Sequence, residues 1–139
     1  MIDTYMVPVS VKGLVIEDGK VWLRKNERGE WELPGGKLEI GEQPEQTVLR
    51  EMEEELGYQV VVIDILQTHM HTIKESVDES HGVLIVIYLC EIVKKVGEFE
   101  LIGEGGNAEF KRFAPNELDN LYIFDFYKAS ILKAFSNEV

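Results

Sequence analysis

The sequence predicts an α/β fold, a sandwich built on a mixed β-sheet, and three features carry that expectation. β-rich runs stand before, between and after helical ones, which is the order of a layered α/β domain. Residues 44 to 56 have helical spacing with Pro44 at the start and Gly57 at the end. Val83 to Ile92 is continuously apolar, as expected of a central strand covered on both faces. The 139 residues are one domain's worth of chain, and residues 1–139 read as a single domain without linker or internal repeat.

Val7, Val9 and Val11 alternate with polar residues and run into Gly13 to Ile16, a first strand or strand pair. Glu17 to Lys20 is a turn signal, and Leu14 to Ile16 with Val21 to Leu23 suits a hairpin carrying Asp18-Gly19 in its loop. Arg24 to Glu30 is polar and reads as loop, Trp31 to Leu33 as a short strand, and Pro34-Gly35-Gly36 as its stop. In the helix over 44 to 56, Val48, Leu49, Met52 and Leu56 share an arc and are expected to face the core. Tyr58 to Leu66 is a strand, whereas Gln67 to Gly82, polar with three histidines, is expected to form a hairpin with a long mobile tip. Val93 to Asn107 is a connection, Glu109 to Phe113 a strand, Pro115-Asn116 a helical turn, and Ile123 to Phe135 a last helix with Tyr127, Ile131 and Phe135 on one stripe.

Composition narrows the functions open to this fold. Acids outnumber bases 26 to 14, a net charge of -12, so the surface repels nucleic-acid polymers and anionic membrane. A phosphorylated small molecule stays open if cations lie between it and the protein. The apolar run from Val83 is too short to span a bilayer, and the N-terminus lacks the pattern of a signal peptide. A single cysteine, Cys90, allows no internal disulfide and reads as core; together these features give a cytoplasmic expectation.

Glutamates crowd residues 39 to 55, at 39, 42, 45, 51, 53, 54 and 55. At about 100° per residue, Glu51, Glu54 and Glu55 fall within an arc of about 100° beside the apolar face, and Glu53 points away. Like charges at these spacings each cost a helix a few tenths of a kcal/mol, roughly, and a hard divalent cation reverses that cost. Arg50 stands four residues before Glu54 and eight after Glu42, where a guanidinium can hold a carboxylate in a fixed fork. Gly35 and Gly36 permit close approach of backbone to a ligand or metal.

Residues 36 to 58, GKLEIGEQPEQTVLREMEEELGY, strongly resemble the Nudix box. Gly36, Glu42, Arg50, Glu51, Met52, Glu54, Glu55 and Gly57 all fall in place, and the one departure is Tyr58, where the family prefers an aliphatic residue. Trp31 to Gly35 looks like the family's lead-in, and the length and element order extend a weaker match over most of the chain. The resemblance implies a Nudix α/β/α sandwich, similar to small MutT-like members, that uses Mg²⁺ or Mn²⁺ to cleave a nucleoside diphosphate linked to another moiety. Glu51, Glu54 and Glu55 match the family's metal-binding glutamates, and Glu51 or a nearby carboxylate would help activate water. Gly35 matches a carbonyl metal ligand, Glu42 a glutamate that pairs with the box arginine, and Arg50 that arginine. A glutamate beyond the box often completes such sites; Glu109 is the candidate for metal and catalysis, with Glu104 the alternate.

Substrate choice lies outside the box. The ADP-ribose and dinucleoside polyphosphate branches carry a downstream proline or tyrosine, and Gln67 to Val77 contains neither. The expected substrate is therefore a nucleoside triphosphate, normal or modified, cleaved to the monophosphate and pyrophosphate. ADP-ribose, a dinucleoside polyphosphate, a catalytically weak nucleotide-binding domain and a non-hydrolytic outlier on the same scaffold are the alternatives. No GK[ST] phosphate loop is present, so ATP-driven work is not suggested. His69, His71 and His81 allow a zinc reading, set against a polar hairpin with scattered histidines. Arg24 and Lys25 lie near the expected phosphate side, Asn120 at a possible base-reading position, and apolar residues from Tyr122 to Phe126 suit a homodimer contact.

Overall fold

A computed structural model describes residues 4–74, 80–97 and 109–136. The elements run β1 (Val9–Glu17), β2 (Lys20–Lys25), β3 (Trp31–Glu32), β4 (Gly35–Lys37), α1 (Pro44–Leu56), β5 (Tyr58–Lys74), β6 (Ser80–Lys95), β7 (Glu109–Phe113), a 3₁₀ segment (Pro115–Asn120) and α2 (Asp125–Ser136). The expected mixed sheet is present. Its order is β3-β2-β1-β6-β5, with β4 also on β1 and β7 also on β2. β1 and β6 are parallel and every other pair of named strands is antiparallel.

The sheet splits along β1. β2 pairs with it only near the hairpin, from Ile16↔Val21 to Glu17↔Lys20, whereas β4 pairs with its first half, from Ser10↔Lys37 to Lys12↔Gly35. Asp18 and Gly19 take the hairpin turn with φ of 53° and 75°, the left-handed pair that Asp-Gly favours. Helices cover the two faces. Val11 and Val15 join Val48, Met52 and Leu56 in a core under α1; Leu14 joins Ile85, Ile87, Tyr127 and Ile131 in a core under α2. Gly13 sets the seat of α1, because a Cβ there would lie 2.6 Å from Met52 Sδ and 3.0 Å from Val48 Cγ2.

Some expectations need correction. Gly35 and Gly36 do not merely stop a strand; they belong to β4. Gln67 to Lys74 and Ser80 to Gly82 are paired strand rather than a long hairpin tip, and β6 continues to Lys95. Residues 75–79, within the span expected to carry the tip, lie outside the described residues, as does Glu104. Leu49 is 40% exposed rather than core, while Val48, Met52 and Leu56 are buried. Cys90, Trp22, Trp31 and Tyr88 are buried. Among the described residues, no helix is long and apolar enough to cross a membrane.

Candidate active site

The site is built where α1 passes the split in the sheet. Pro44 opens the helix, Gln43 N–H donates to Gln46 Oε1 at 2.7 Å, and Gly57, at φ 74°, closes it with an N–H to the Glu53 carbonyl at 3.1 Å. With Val48, Met52 and Leu56 fixed in the core, helical geometry turns Glu51 and Glu55 toward β4. Gly35 N–H donates to Glu55 Oε2 at 3.2 Å. A Cβ on Gly36 would lie 2.3 Å from Glu51 Oε1, so this carboxylate rests on bare backbone. Gly35, Gly36, Glu51, Glu55, Arg24 and Arg50 line an open cleft of about 340 Å³.

Arg50 organises the carboxylates around this cleft. Its Nε and Nη2 donate to the two Glu42 oxygens at 2.8 and 3.0 Å, the fork geometry of a guanidinium on a carboxylate. Its Nη1 donates to Glu51 Oε1 at 2.8 Å and to Glu54 Oε2 at 3.3 Å. The guanidinium holds the Glu42 carboxyl down at about 2, helped by the Glu39 N–H and Thr47 hydroxyl. Glu55 moves the other way: burial, then the charge of Glu51, pushes it up to about 7 against the opposing pull of Lys12, Arg24 and the Gly35 N–H. Glu53 is exposed and off this group.

The oxygen chemistry of the cleft is of the kind a hard divalent cation takes: Glu51 and Glu55 carboxylates line it, and a buried carboxylate that resists ionising beside a second one gains from a nearby positive charge. Among the described residues no three His, Cys, Asp or Glu side chains are drawn together at metal-binding spacing; Arg50 holds Glu51 and Glu54 instead. The structure does not bring Glu109 into the cleft. Glu109 is exposed at the start of β7, opposite Lys25. Neighbouring strand residues face opposite sides, so it lies across the sheet from Arg24, which lines the cleft.

A second pocket, of about 140 Å³, lies on the α2 side of β1. Its wall includes Lys12, Glu32, His71, Phe124 and Phe126. His69 stacks on Phe126 at 4.0 Å between centroids and His71 lies 4.9 Å from Phe124. Burial, then His69, lowers the His71 pKa, which keeps its ring neutral and suited to an aromatic wall. These histidines on β5 are thus aromatic packing, not scattered residues of a polar hairpin; the His81 side chain lies outside the described residues. Asn120, at the end of the 3₁₀ segment, is exposed and does not line the pocket. Phe124 and Phe126 are turned inward against the histidines, leaving Tyr122 77% exposed.

Sequence reasoning missed this aromatic wall and Lys12. Lys12 stands at a polar position of the alternation along β1, so the sequence pattern gives no signal for its burial. It also missed the anchoring of Tyr58, whose hydroxyl donates to Glu17 Oε1 at 2.9 Å and ties the end of α1 to the β1–β2 hairpin.

Comparison with known proteins agrees with this construction. The model of the NUDIX domain matches residues 6–135. The chain is 38% identical over 85 residues to a MutT-like protein of Streptomyces ambofaciens, a match covering 60% of this chain and 51% of that one. It therefore spans about half the length of that relative. It is 32% identical over 122 residues to an ADP-ribose pyrophosphatase of Methanocaldococcus jannaschii, covering 84% of this chain and 68% of the relative. A NUDIX hydrolase structure from Nitrosomonas europaea superposes with a TM-score of 0.75 at 18% identity, over 96% of this chain and 91% of its own. A family match over nearly the whole described fold, centred on an α1 whose glutamates lean on a glycine strand, places this chain in the Nudix family.

Proposed function

We propose that this protein hydrolyses a nucleoside triphosphate, normal or modified, to the monophosphate and pyrophosphate with Mg²⁺, or Mn²⁺ in its place. The observation that carries the reading is the cleft itself: Glu51 and Glu55 set against the Gly35–Gly36 backbone, next to a pocket with aromatic walls. Phosphates belong to the first cavity and the base to the second.

A divalent cation held by Glu51, Glu54, Glu55 and the Gly35 carbonyl would supply charge neutralisation of the phosphate oxygens and a lowered pKa for attacking water. The chain supplies the rest. A carboxylate of the Glu51–Glu55 pair accepts the proton of that water. Arg24, on the cleft wall, attracts the anionic chain, and its pairing with Glu32 at 2.9 Å fixes its place. Arg50 keeps Glu51 oriented through its 2.8 Å bond. Water attacks phosphorus directly, and no covalent enzyme intermediate is needed.

The relative from M. jannaschii, named an ADP-ribose pyrophosphatase, favours ADP-ribose as a second reading. A product-resolved panel separates the two. Common and oxidised triphosphates, ADP-ribose, dinucleoside polyphosphates and nucleotide sugars are each incubated with Mg²⁺ and with chelator. The triphosphate reading requires pyrophosphate release and the highest kcat/KM for a triphosphate. Preference for ADP-ribose replaces the substrate; hydrolysis of no member by metal-bound protein replaces the enzyme with a binding domain.

A further inference from the structure

Lys12 is 7% exposed, on the inward face of β1. Among the described residues it has neither a hydrogen bond nor an ion pair. The other cations near it are engaged: Arg28 with Glu30 at 2.7 Å and Arg24 with Glu32 at 2.9 Å. Yet no buried side-chain nitrogen or oxygen among the described residues is both sealed from solvent and unpartnered. The Lys12 ammonium is therefore not fully sealed from solvent, and the cavity that Lys12 lines is the aromatic pocket.

Its place is at the junction of the two cavities. Lys12 pairs in register with Gly35, and its stem runs beside that glycine, where a Cβ would meet Lys12 Cδ at 3.0 Å. Gly35 in turn donates to Glu55 in the phosphate cleft. The charge of Lys12 is felt by Glu55, yet among the described residues no carboxylate lies within ion-pair distance of it; a cation mostly removed from water in this way is costly, and an anionic group bound directly against it lowers that cost. Holding such a cation at this point suits a ligand that is anionic where the cavities meet and aromatic beyond.

We infer that Lys12 is a substrate-binding residue whose ammonium holds the phosphate joined directly to the nucleoside, at the point where the carboxylate cleft meets the aromatic pocket. This rests on the nucleotide reading of the site and deepens it. The contact fixes the register of the phosphate chain, so that the anhydride bond beyond the held phosphate lies over Glu51 and Glu55.

The test is equilibrium binding of the four common 5′-monophosphates and their matching nucleosides, in chelator, to wild type, Lys12→Met and Lys12→Gln. Wild type is expected to bind at least one monophosphate about tenfold more tightly than its nucleoside, the size of one charge-assisted contact. Both neutral variants are expected to lose that advantage and keep the nucleoside affinity. Lys12→Met nearly preserves the length of the stem and removes an unpartnered cation, so it should melt no lower than wild type; Lys12→Gln gives the same reading should Met pack badly. With Mg²⁺ and the best triphosphate, the variants should raise KM more than they lower kcat. An undiminished phosphate advantage in both variants, or none in wild type, overturns the role of Lys12 while triphosphate hydrolysis keeps the nucleotide reading intact. A shifted pH profile of kcat with unchanged monophosphate binding also overturns it, making Lys12 a counter-charge to Glu55. Failure of wild type to bind or hydrolyse any nucleotide, with or without Mg²⁺, removes the underlying reading and this role together.

Discussion

Glu51 lies on Gly36 so closely that a methyl group there would sit 2.3 Å from Oε1 and 2.5 Å from Cδ. The carboxylate cannot simply swing aside, because Arg50 Nη1 holds the same Oε1 at 2.8 Å and the side chain is only 13% exposed. The glycine is therefore a requirement of the carboxylate's position as much as of the strand.

Gly36→Ala is accordingly expected to displace Glu51 while leaving the fold in place. A displacement of about 1 Å at a reacting group can lower kcat about 10²-fold. The stability cost should stay within about 1–3 kcal/mol, the range for forcing a methyl into packed space. Steady-state kinetics with Mg²⁺ and thermal unfolding, run on the same preparation, check both. Unchanged kcat would show that the position of Glu51 on Gly36 does not matter to turnover.

Glu51→Gln should lower kcat at least about 10²-fold while nucleotide binding falls far less, since the shape is kept and the charge is lost. Glu53→Gln is the internal control: it is one helix position from Glu54 but exposed and outside the cleft. Equal losses in the two variants would place the effect in the overall charge of α1 rather than in the cleft.

Arg50→Met releases Glu42, Glu51 and Glu54 at once. Arg50 depresses the Glu42 carboxyl to about 2, so this pair contributes stability above the ordinary value of 4.5 and loses it as pH falls toward 2. The acid-unfolding midpoint, followed by circular dichroism, should move to higher pH in Arg50→Met and in Glu42→Gln. The double variant should move little beyond Arg50→Met alone, because that change already removes the Glu42 contact. Additive shifts would separate the two residues.

α1 was legible to the residue. Pro44 and Gly57 mark its ends through backbone chemistry that acts locally, and local rules need no knowledge of the neighbours. Leu49 was misread because it lies at the edge of the apolar arc, about 60° from its centre, and only the position of the sheet decides on which side of the edge it falls. β4 was missed for a similar reason: its three residues, Gly35–Lys37, carry no strand propensity and are strand only because β1 pairs with them. In the site, the glutamate spacing showed which carboxylates share a face. It did not show that Arg50 spans Glu42, Glu51 and Glu54, that Glu109 faces away from the Arg24 side, or that, among the described residues, Lys12 has no carboxylate within ion-pair distance. The placements of Glu109 and Lys12 depend on segments far apart in sequence, whereas Arg50 reaches partners one to eight residues away, and there the side-chain rotamers decide.

Glu55 yields the sharpest pH prediction. Burial and the charge of Glu51 raise its carboxyl from 4.5 to about 7, so the folded protein holds this proton more tightly than the unfolded chain does. A raised group contributes stability that is fully present below pH 4.5 and lost as pH climbs through about 7. Glu55→Gln keeps the acceptor for the Gly35 N–H and cannot ionise, so it escapes that loss. In chelator, denaturant unfolding should find the variant close to wild type at pH 4 and more stable by on the order of 2–3 kcal/mol at pH 8. Saturating Mg²⁺ should then narrow the gap at pH 8, by stabilising wild type more than the variant, because the cation binds the ionised carboxylate. Parallel stability curves from pH 4 to 8 would mean that Glu55 ionises freely in the cleft. A gap that Mg²⁺ leaves untouched would mean that the cation, wherever it binds, does not use Glu55.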